Sequence, residues 1–135
     1  MPSRVETSSG EQSQSPAFRI VDYMPDQRTC VIAVEGELDL DKAPRLKWKL
    51  VGALEAGCDR LVVDLSRVAF IDSTAIGVLI GVNRSLEAGG RLAIACAQAN
   101  VLRIFAVAGL DSAFAILPTV EEALEHVREQ AARVG

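Results

Sequence analysis

Two hydroxyl residues, Ser73 and Thr74, follow Asp72 at the start of a strongly apolar stretch of the sequence. The apolar spacing predicts a helix there, and Asp72 or Ser73 is the residue type that begins a helix as its N-cap. A phosphate on Ser73 would lie near unpaired backbone N–H groups and the positive end of the helix dipole. Phosphorylation at Ser73 would therefore spare the fold, while its charge and new acceptor oxygens would change what this surface binds.

A purely structural interpretation of Ser73 is also available. Ser and Thr occupy many helix N-caps, so periodicity alone favours a capping function without any modification. Thr74 offers a second hydroxyl that could accept phosphate. The wider sequence pattern has to decide between these interpretations.

Catalysis by Ser73 is disfavoured by the residues around it. A serine nucleophile needs a base, and the one histidine of the chain, His126, lies far along the sequence in a predicted terminal helix. No G-x-S-x-G elbow surrounds Ser73, and the chain has no G-x-x-x-x-G-K-[ST] phosphate loop. Gly89 and Gly90 are typical of a helix stop. The sequence predicts a binding protein that is not an enzyme and needs no cofactor.

Asp64 ends an apolar run, as the phosphoacceptor aspartate of receiver domains does. A receiver domain also needs an acidic pair after its first strand and a late lysine, to hold Mg²⁺ and phosphoryl oxygens. Asp22 stands alone near the first strand. All lysines fall in the first predicted helix, at Lys42, Lys47 and Lys49. We therefore expect Asp64 to end its strand or pair locally.

Several other carboxylates could gather at one end of the predicted sheet, namely Glu37, Asp39, Asp41 and Asp72. Oxygen-rich Mg²⁺ and Ca²⁺ sites usually show tighter ligand spacing than this set. A solvated acidic rim that faces a basic partner is the better interpretation, and no metal site is expected.

Composition narrows the class of protein. The chain has 135 residues, 50% of them hydrophobic and 24% charged, with a formal net charge of −4, which suits one globular domain. Mild acidity disfavours binding to nucleic acid or anionic lipid. No apolar run has the length of a membrane span, and residues 1–15 lack the apolar core of a signal peptide, so a cytoplasmic location is expected. The three cysteines form no CxxC pair and are expected to be reduced and mostly buried.

The elements that must position Asp72 and Ser73 follow from apolar periodicity. Residues 1–16 are predicted to be a disordered tail, and residues 17–135 one domain. An opening hairpin, with Gly36 stopping its second strand, precedes alternating strands and helices, which predicts an α/β fold with a mixed four- to five-stranded sheet. The predicted strands cover 18–23, 30–34, 61–65, 91–96 and 114–117, and the predicted helices cover 41–56, 73–88, 97–108 and the residues after Thr119.

Two apolar residues stand out from the predicted core. Ile76, early in the helix beside Ser73, is the candidate for an exposed apolar contact with a partner. Trp48 lies off the main apolar stripe of the first helix and is predicted to serve mainly in packing, with partial exposure.

Three tracts in the right order resemble the sulfate transporter and anti-sigma factor antagonist (STAS) domain, and within it the bacterial anti-sigma factor antagonists. Residues 71–77 resemble the family's Asp-Ser-Ser/Thr-Gly-Leu-Gly phosphorylation loop. Residues 36–39, followed by Ala43 and Pro44, are similar to the family's kinase-facing loop. Residues 103–110 are similar to its Leu-Phe-x-x-x-Gly-Leu segment. Ala75 departs from the pattern, because the family usually has glycine there, and its methyl group could hinder a kinase or phosphatase.

The resemblance implies a partner-switching cycle with Ser73 as the phosphorylated residue. The implied partner is an anti-sigma factor serine kinase of the histidine-kinase-like ATPase type, which binds either a sigma factor or the unphosphorylated antagonist. A PP2C-type phosphatase would restore the unphosphorylated form, and nucleotide would belong to the kinase. The partner-binding residues implied are Glu37, Asp39, Asp72, Ser73, Thr74, Ile76 and Gly77. The alternative is a STAS adaptor subunit of a signalling scaffold or transporter without a phosphorylation switch.

Overall fold

Strands and helices alternate after an opening hairpin, as the apolar periodicity predicts. The computed structural model describes residues 17–86 and 91–134, so the predicted tail over residues 1–16 lies outside the described residues. In chain order the elements are β1 (Arg19–Asp26), β2 (Thr29–Leu38), α1 (Ala43–Glu55), β3 (Arg60–Ile71), α2 (Ser73–Ser85), β4 (Arg91–Ala95), α3 (Ala99–Val107), β5 (Ala115–Leu117) and α4 (Val120–Val134).

The described residues form a five-stranded sheet in which the strands lie in chain order, from β1 to β5. β1 and β2 pair antiparallel, and every later neighbouring pair is parallel. The predicted mixed sheet is therefore confirmed. Because β2, β3 and β4 run in the same direction, the loops that follow them meet at one edge of the sheet, as in other parallel sheets.

The two faces of the sheet are covered unequally. The larger apolar cluster contains side chains from α1, α2 and α3 packed on one face, with Phe105, Leu46 and Leu79 fully buried. A smaller cluster packs α4 on the other face, through Ala123 and Val127. Burying each large aliphatic or aromatic side chain stabilises the fold by about 1.5–3 kcal/mol, so most of the packing energy lies on the side of α1 and α2.

The sheet departs from the predicted boundaries at two places. β2 does not stop at Gly36 but continues to Leu38, with Gly36 at a positive φ of 100° inside an irregular stretch of the ladder. Residues 66–71, which lie between the predicted strand 61–65 and the predicted helix 73–88, are not a loop, because they belong to β3. Pairing with β2, from Glu35 opposite Arg67 onwards, keeps this polar part of the chain extended.

The ends of the helices lie closer to their predicted positions than the ends of the strands do. α1 has Pro44 in its first turn and Gly57 just beyond its end at a φ of 100°, where these residue types favour the start and the end of a helix. α2 ends earlier than predicted, because Leu86 is extended; Gly89 and Gly90 lie outside the described residues. The backbone N–H of Glu122 donates to Oγ1 of Thr119 at 3.1 Å, which confirms Thr119 as the cap of α4.

Trp48 contradicts its predicted packing function, since 81% of the residue is exposed. The core stripe of α1 runs through Ala43, Leu46, Leu50 and Ala53. Trp48 lies on the other side of the helix, where it lines a shallow groove with Ile20 of β1.

Within residues 17–86 and 91–134, no helix is long and apolar enough to cross a lipid bilayer.

Candidate functional site at the carboxyl ends of β2 and β3

Asp72 begins α2 as its N-cap. Its backbone is extended, and its Oδ1 accepts hydrogen bonds from the backbone N–H groups of Thr74 at 3.0 Å and Ala75 at 3.1 Å. These bonds satisfy two N–H groups that a helix start otherwise leaves unpaired. Of the two predicted cap candidates, Asp72 therefore fills the position, and Ser73 becomes the first residue of the helix.

Ser73 is exposed at the start of α2. In the part of the chain that the structure describes, its hydroxyl has no hydrogen-bond partner. The interpretation in which Ser73 only caps the helix is wrong, because Asp72 does the capping. Thr74 is also exposed, one residue further along the helix.

The two predicted loops meet directly. The backbone N–H of Asp72 donates to the carbonyl oxygen of Leu38 at 3.2 Å, next to the position where Leu38 and Ile71 pair across the ladder. Asp39, the next residue, is half-buried. Its Oδ1 accepts from the backbone N–H of Lys42 at 3.2 Å and lies 3.8 Å from Lys42 Nζ. The turn orders the β2–α1 loop, and the bond from Asp72 to Leu38 holds the end of β2 beside the start of α2.

Two exposed apolar residues near this site were not predicted from the sequence. Leu40, in the β2–α1 loop, is 63% exposed, and Phe70, near the end of β3, is 44% exposed. Phe70 is the ladder partner of Glu37, which is also exposed. Leu40 lies between Asp39 and Asp41 in the sequence, and an apolar residue flanked by two acids was an available signal of exposure.

Ile76 does not belong to the exposed surface, contrary to the sequence prediction. It is only 6% exposed and lies in the core cluster on the α2 side of the sheet. Ala75 is fully buried in the same cluster, so its methyl group points into the core and leaves the surface unobstructed. The expected hindrance by Ala75 is therefore wrong. Gly77 is exposed, and a Cβ added there would meet no atom within 4 Å.

A groove of about 480 Å³ runs between α1 and α2, beginning next to the predicted switch. Thr74, Gly77 and Gly81 line it from α2, and Lys47 and Val51 line it from α1. Gly77 and Gly81 have no side chains to fill the groove. The accessible surface around Ser73 therefore continues along the helix.

The other chemistry-bearing residues lie elsewhere. His126 is on α4, which packs on the face of the sheet opposite α2, so the sheet separates it from Ser73. Asp64 pairs locally, as one of its two predicted alternatives, accepting from the N–H and hydroxyl of Ser66 at 3.0 and 2.5 Å. It does not end its strand. Among the described residues, no group of three or more His, Cys, Asp or Glu side chains converges as a metal site.

The three cysteines are buried and unbridged, as predicted. Burial raises the pKa of the Cys30 thiol to about 11, and it also raises the pKa of Cys58 and Cys96. A raised thiol pKa keeps the thiolate scarce at neutral pH, so these side chains behave as small apolar groups of the core.

Comparisons with known proteins agree with the fold. Residues 22–119 match the family model described as "Mlab, STAS domain". The chain is 33% identical over 91 residues to the anti-sigma-B factor antagonist of Bacillus subtilis (strain 168), covering 67% of this chain and 83% of that protein.

Two solved structures superpose on most of the chain. An anti-sigma factor antagonist from Mycobacterium paratuberculosis has a TM-score of 0.77 and 27% identity, covering 83% of this chain and 95% of its own. The Bacillus cell fate determinant SpoIIAA, in its phosphorylated form, has a TM-score of 0.63 and 29% identity, covering 83% of this chain and 100% of its own.

Proposed function

The chain belongs to the STAS domain family of anti-sigma factor antagonists, and from this premise we propose that it releases a sigma factor by binding its anti-sigma factor. The proposed partner is an anti-sigma serine kinase of the histidine-kinase-like ATPase type. Phosphorylation of Ser73 by that kinase ends the interaction, and a PP2C-type phosphatase reverses it. The domain that carries out this cycle spans residues 17–135.

One observation carries the proposal of a switch at Ser73. The cap of α2 is supplied by Asp72, while the hydroxyl of Ser73 is exposed and, within the described residues, has no partner. Modification of Ser73 therefore breaks no hydrogen bond of the fold. The helix dipole at the start of α2 also favours a negative charge there. SpoIIAA, a structural relative of this chain, has itself been solved in a phosphorylated form.

The proposed binding surface, named here the switch surface, combines exposed apolar side chains with carboxylates. Its members are Glu37, Asp39, Leu40, Phe70, Asp72, Ser73, Thr74 and Gly77. Leu40 and Phe70 supply the apolar area that partners desolvate at the centre of an interface. The carboxylates favour a partner with a basic surface, because complementary potentials steer association.

Phosphoryl transfer at this surface is simple chemistry. Ser73 Oγ attacks the γ-phosphorus of ATP held by the kinase, the bond to the β-phosphate oxygen breaks, and the hydroxyl proton passes to a base of the kinase. The phosphoserine carries about −1.5 to −2 charges and three acceptor oxygens. It then faces the phosphates of the ADP that remains on the kinase, and its charge must be desolvated in the interface. Both effects weaken the complex after transfer.

The test uses wild-type chain, Ser73→Ala and Thr74→Ala as baits in host lysate, followed by addition of radiolabelled ATP to the captured complexes. We expect all three to retain an ATPase-type anti-sigma factor. Label should enter the wild type and the Thr74→Ala control and be lost from Ser73→Ala. Label that survives in Ser73→Ala, or the absence of an anti-sigma factor from all three baits, would overturn the proposal.

The second candidate function is a STAS adaptor without a switch. The residue that favoured it was Ala75, which stands where the family usually has glycine. That support disappears because the Ala75 side chain is fully buried. A scaffold or transporter partner that binds Ser73→Ala and Ser73→Glu equally well would restore it.

A further inference from the structure

Within the part of the chain that the structure describes, the carboxyl half of β3 has no neighbouring strand on one side. Among the described residues, β4 pairs with β3 only from Arg60 to Asp64, because β4 ends at Ala95. Residues 65–71, named here the β3 extension, continue beyond that point and lead directly into the switch surface. An unpaired strand edge leaves backbone groups without partners and is a weak point of a sheet.

Two side-chain amides occupy the place of the missing strand. Gln98 Nε2 donates to the carbonyl oxygen of Ser66 at 3.0 Å, and Asn100 Nδ2 donates to the carbonyl oxygen of Ala69 at 2.6 Å. Gln98 is the N-cap residue of α3 and makes no side-chain cap for that helix. Asn100 lies in the first turn of α3. Both amides are therefore directed at β3 instead of at their own helix.

The other side of the β3 extension is paired with β2, through Phe70 opposite Glu37 and Ile71 opposite Leu38. The extension is thus held from both sides, by a strand on one side and by side chains on the other. The Ala69 carbonyl lies next to Phe70 and three residues before Asp72, the cap on which the position of Ser73 depends.

Resting on the proposed function, we propose that Asn100, supported by Gln98, is a positioning residue that clamps the β3 extension so that Phe70 and Ser73 are presented to the anti-sigma kinase. Asn100 touches neither the partner nor the phosphate in this account. Its effect is to order the binding surface before the partner arrives, which lowers the conformational cost of association.

The expected size of the effect follows from a single neutral hydrogen bond. Such a bond contributes about 0.5–1.5 kcal/mol net, which corresponds to roughly a two- to twelvefold change in an equilibrium constant. Asn100→Ala should therefore weaken kinase binding about fivefold on this scale. Asn100→Asp should weaken it at least as much, because a carboxylate cannot donate to the Ala69 carbonyl.

Comparing Asn100→Ala with Asn100→Asp also separates an effect on the position of β3 from an effect on the stability of α3. An acidic residue in the first turn of a helix is favoured by the helix dipole, so Asn100→Asp should leave α3 intact. Val107→Ala is the matched control, because Val107 is exposed at the far end of the same helix and the change alters no charge. Backbone hydrogen exchange of the free chain would report the clamp directly, since exchange rates follow local opening.

The experiment measures kinase affinity and free-chain hydrogen exchange for wild type, Asn100→Ala, Asn100→Asp and Val107→Ala, and repeats the affinities in a Phe70→Ala background. We expect faster exchange at residues 69–73 in both Asn100 variants only. We also expect the Asn100→Ala effect to shrink in the Phe70→Ala background, because coupled residues are not additive. Wild-type exchange and affinity in both Asn100 variants would overturn the inference.

The failure of the proposed function would look different. In that case the wild-type chain itself binds no anti-sigma kinase, whatever the exchange data show. An unchanged Asn100→Ala effect in the Phe70→Ala background, with the wild-type chain still bound and phosphorylated, would instead remove positioning of Phe70 and leave the switch intact.

Discussion

At the residue scale, the proposed switch rests on the different positions of two neighbouring side chains. Asp72 satisfies the N–H groups of Thr74 and Ala75, and Ser73 is left exposed. The residue types alone allowed either to be the cap. The sequence suggested Ser73 as the centre of the proposed site, because three tracts resemble one family pattern, but only the backbone geometry shows which side chain caps the helix.

Replacing Asp72 should lower the free energy of unfolding, while replacing Ser73 should leave it nearly unchanged. Asp72→Ala is expected to lower the free energy of unfolding by about 1 kcal/mol, because two N–H groups of α2 lose their acceptor. Ser73→Ala should change it by less than about 0.5 kcal/mol, as is usual for an exposed side chain without partners. Urea unfolding followed by circular dichroism measures both, and equal losses in the two variants would contradict the assignment of the cap.

The exposed apolar residues of the switch surface should contribute to binding and not to folding. Leu40→Ala and Phe70→Ala are each expected to weaken the complex with the anti-sigma kinase by about 1–2 kcal/mol or more, the range of central interface residues. Titration calorimetry measures the loss. Tyr23→Ala is a suitable control, because Tyr23 is similarly exposed but lies on β1. Equal losses in the control would indicate that the switch surface is placed wrongly.

Ile76 shows why side-chain exposure was harder to predict than position along the chain. α2 carries apolar residues on several sides, so its periodicity does not reveal which side faces the sheet. The structure turns Ile76 and Ala75 inward and leaves Gly77 outside. Leu40 and Phe70 provide the exposed apolar area that Ile76 was predicted to give.

At the scale of elements, the length of β3 was the main feature that the sequence did not predict. Its apolar run stops at Leu65, and the polar residues Ser66 and Arg67 follow, which in isolation indicates a loop. Pairing with β2 and the two amides from Gln98 and Asn100 keep the chain extended. Contacts from distant parts of the chain therefore override the local signal.

Glycines inside the elements give a matched test of this geometry. Gly36 has a φ of 100°, and a Cβ added there would lie 3.2 Å from both Ala17 O and Phe18 Cα. Gly36→Ala is therefore expected to destabilise the chain by about 1–3 kcal/mol. Gly81→Ala, in the middle of α2 with nothing within 4 Å of the added Cβ, should stabilise it by up to about 1 kcal/mol. Thermal unfolding measures both, and changes of the same sign would contradict the described backbone.

At the scale of the whole molecule, the order of strands brings together the loops of the proposed site. Alternating strands and helices predicted the parallel sheet, and parallel strands necessarily place the ends of β2 and β3 at one edge. The meeting of the two loops was thus implied by the topology. The hydrogen bond from Asp72 to Leu38, which fixes their relative position, was not.

Ion pairs at the opposite end of the sheet should make stability depend on acidity. The Arg28 guanidinium lowers the pKa of Asp59, and the backbone N–H of Arg28 lowers the pKa of Asp26 from their ordinary value of 3.8. A carboxylate with a lowered folded pKa stabilises the fold fully above the unfolded value and loses that contribution as pH falls through the folded value. Stability should therefore fall below about pH 4.

The variants Asp59→Asn and Arg28→Ala test this dependence. Each removes the ion pair that lowers the Asp59 pKa, so each should reduce the loss of unfolding free energy between about pH 6 and pH 3. Urea unfolding at both pH values measures that difference. A difference as large as in the wild type would exclude Asp59 as a source of the acid sensitivity.

We expect phosphate on Ser73 to end the binding of an intact chain to its anti-sigma factor. The most direct measurement is the dissociation constant of the complex before and after stoichiometric phosphorylation at Ser73, with the modified residue verified by mass spectrometry and folding by circular dichroism. We expect a loss of affinity of about a hundredfold, or roughly 2.7 kcal/mol, with an unchanged spectrum. Equal affinity of the two forms would contradict the account.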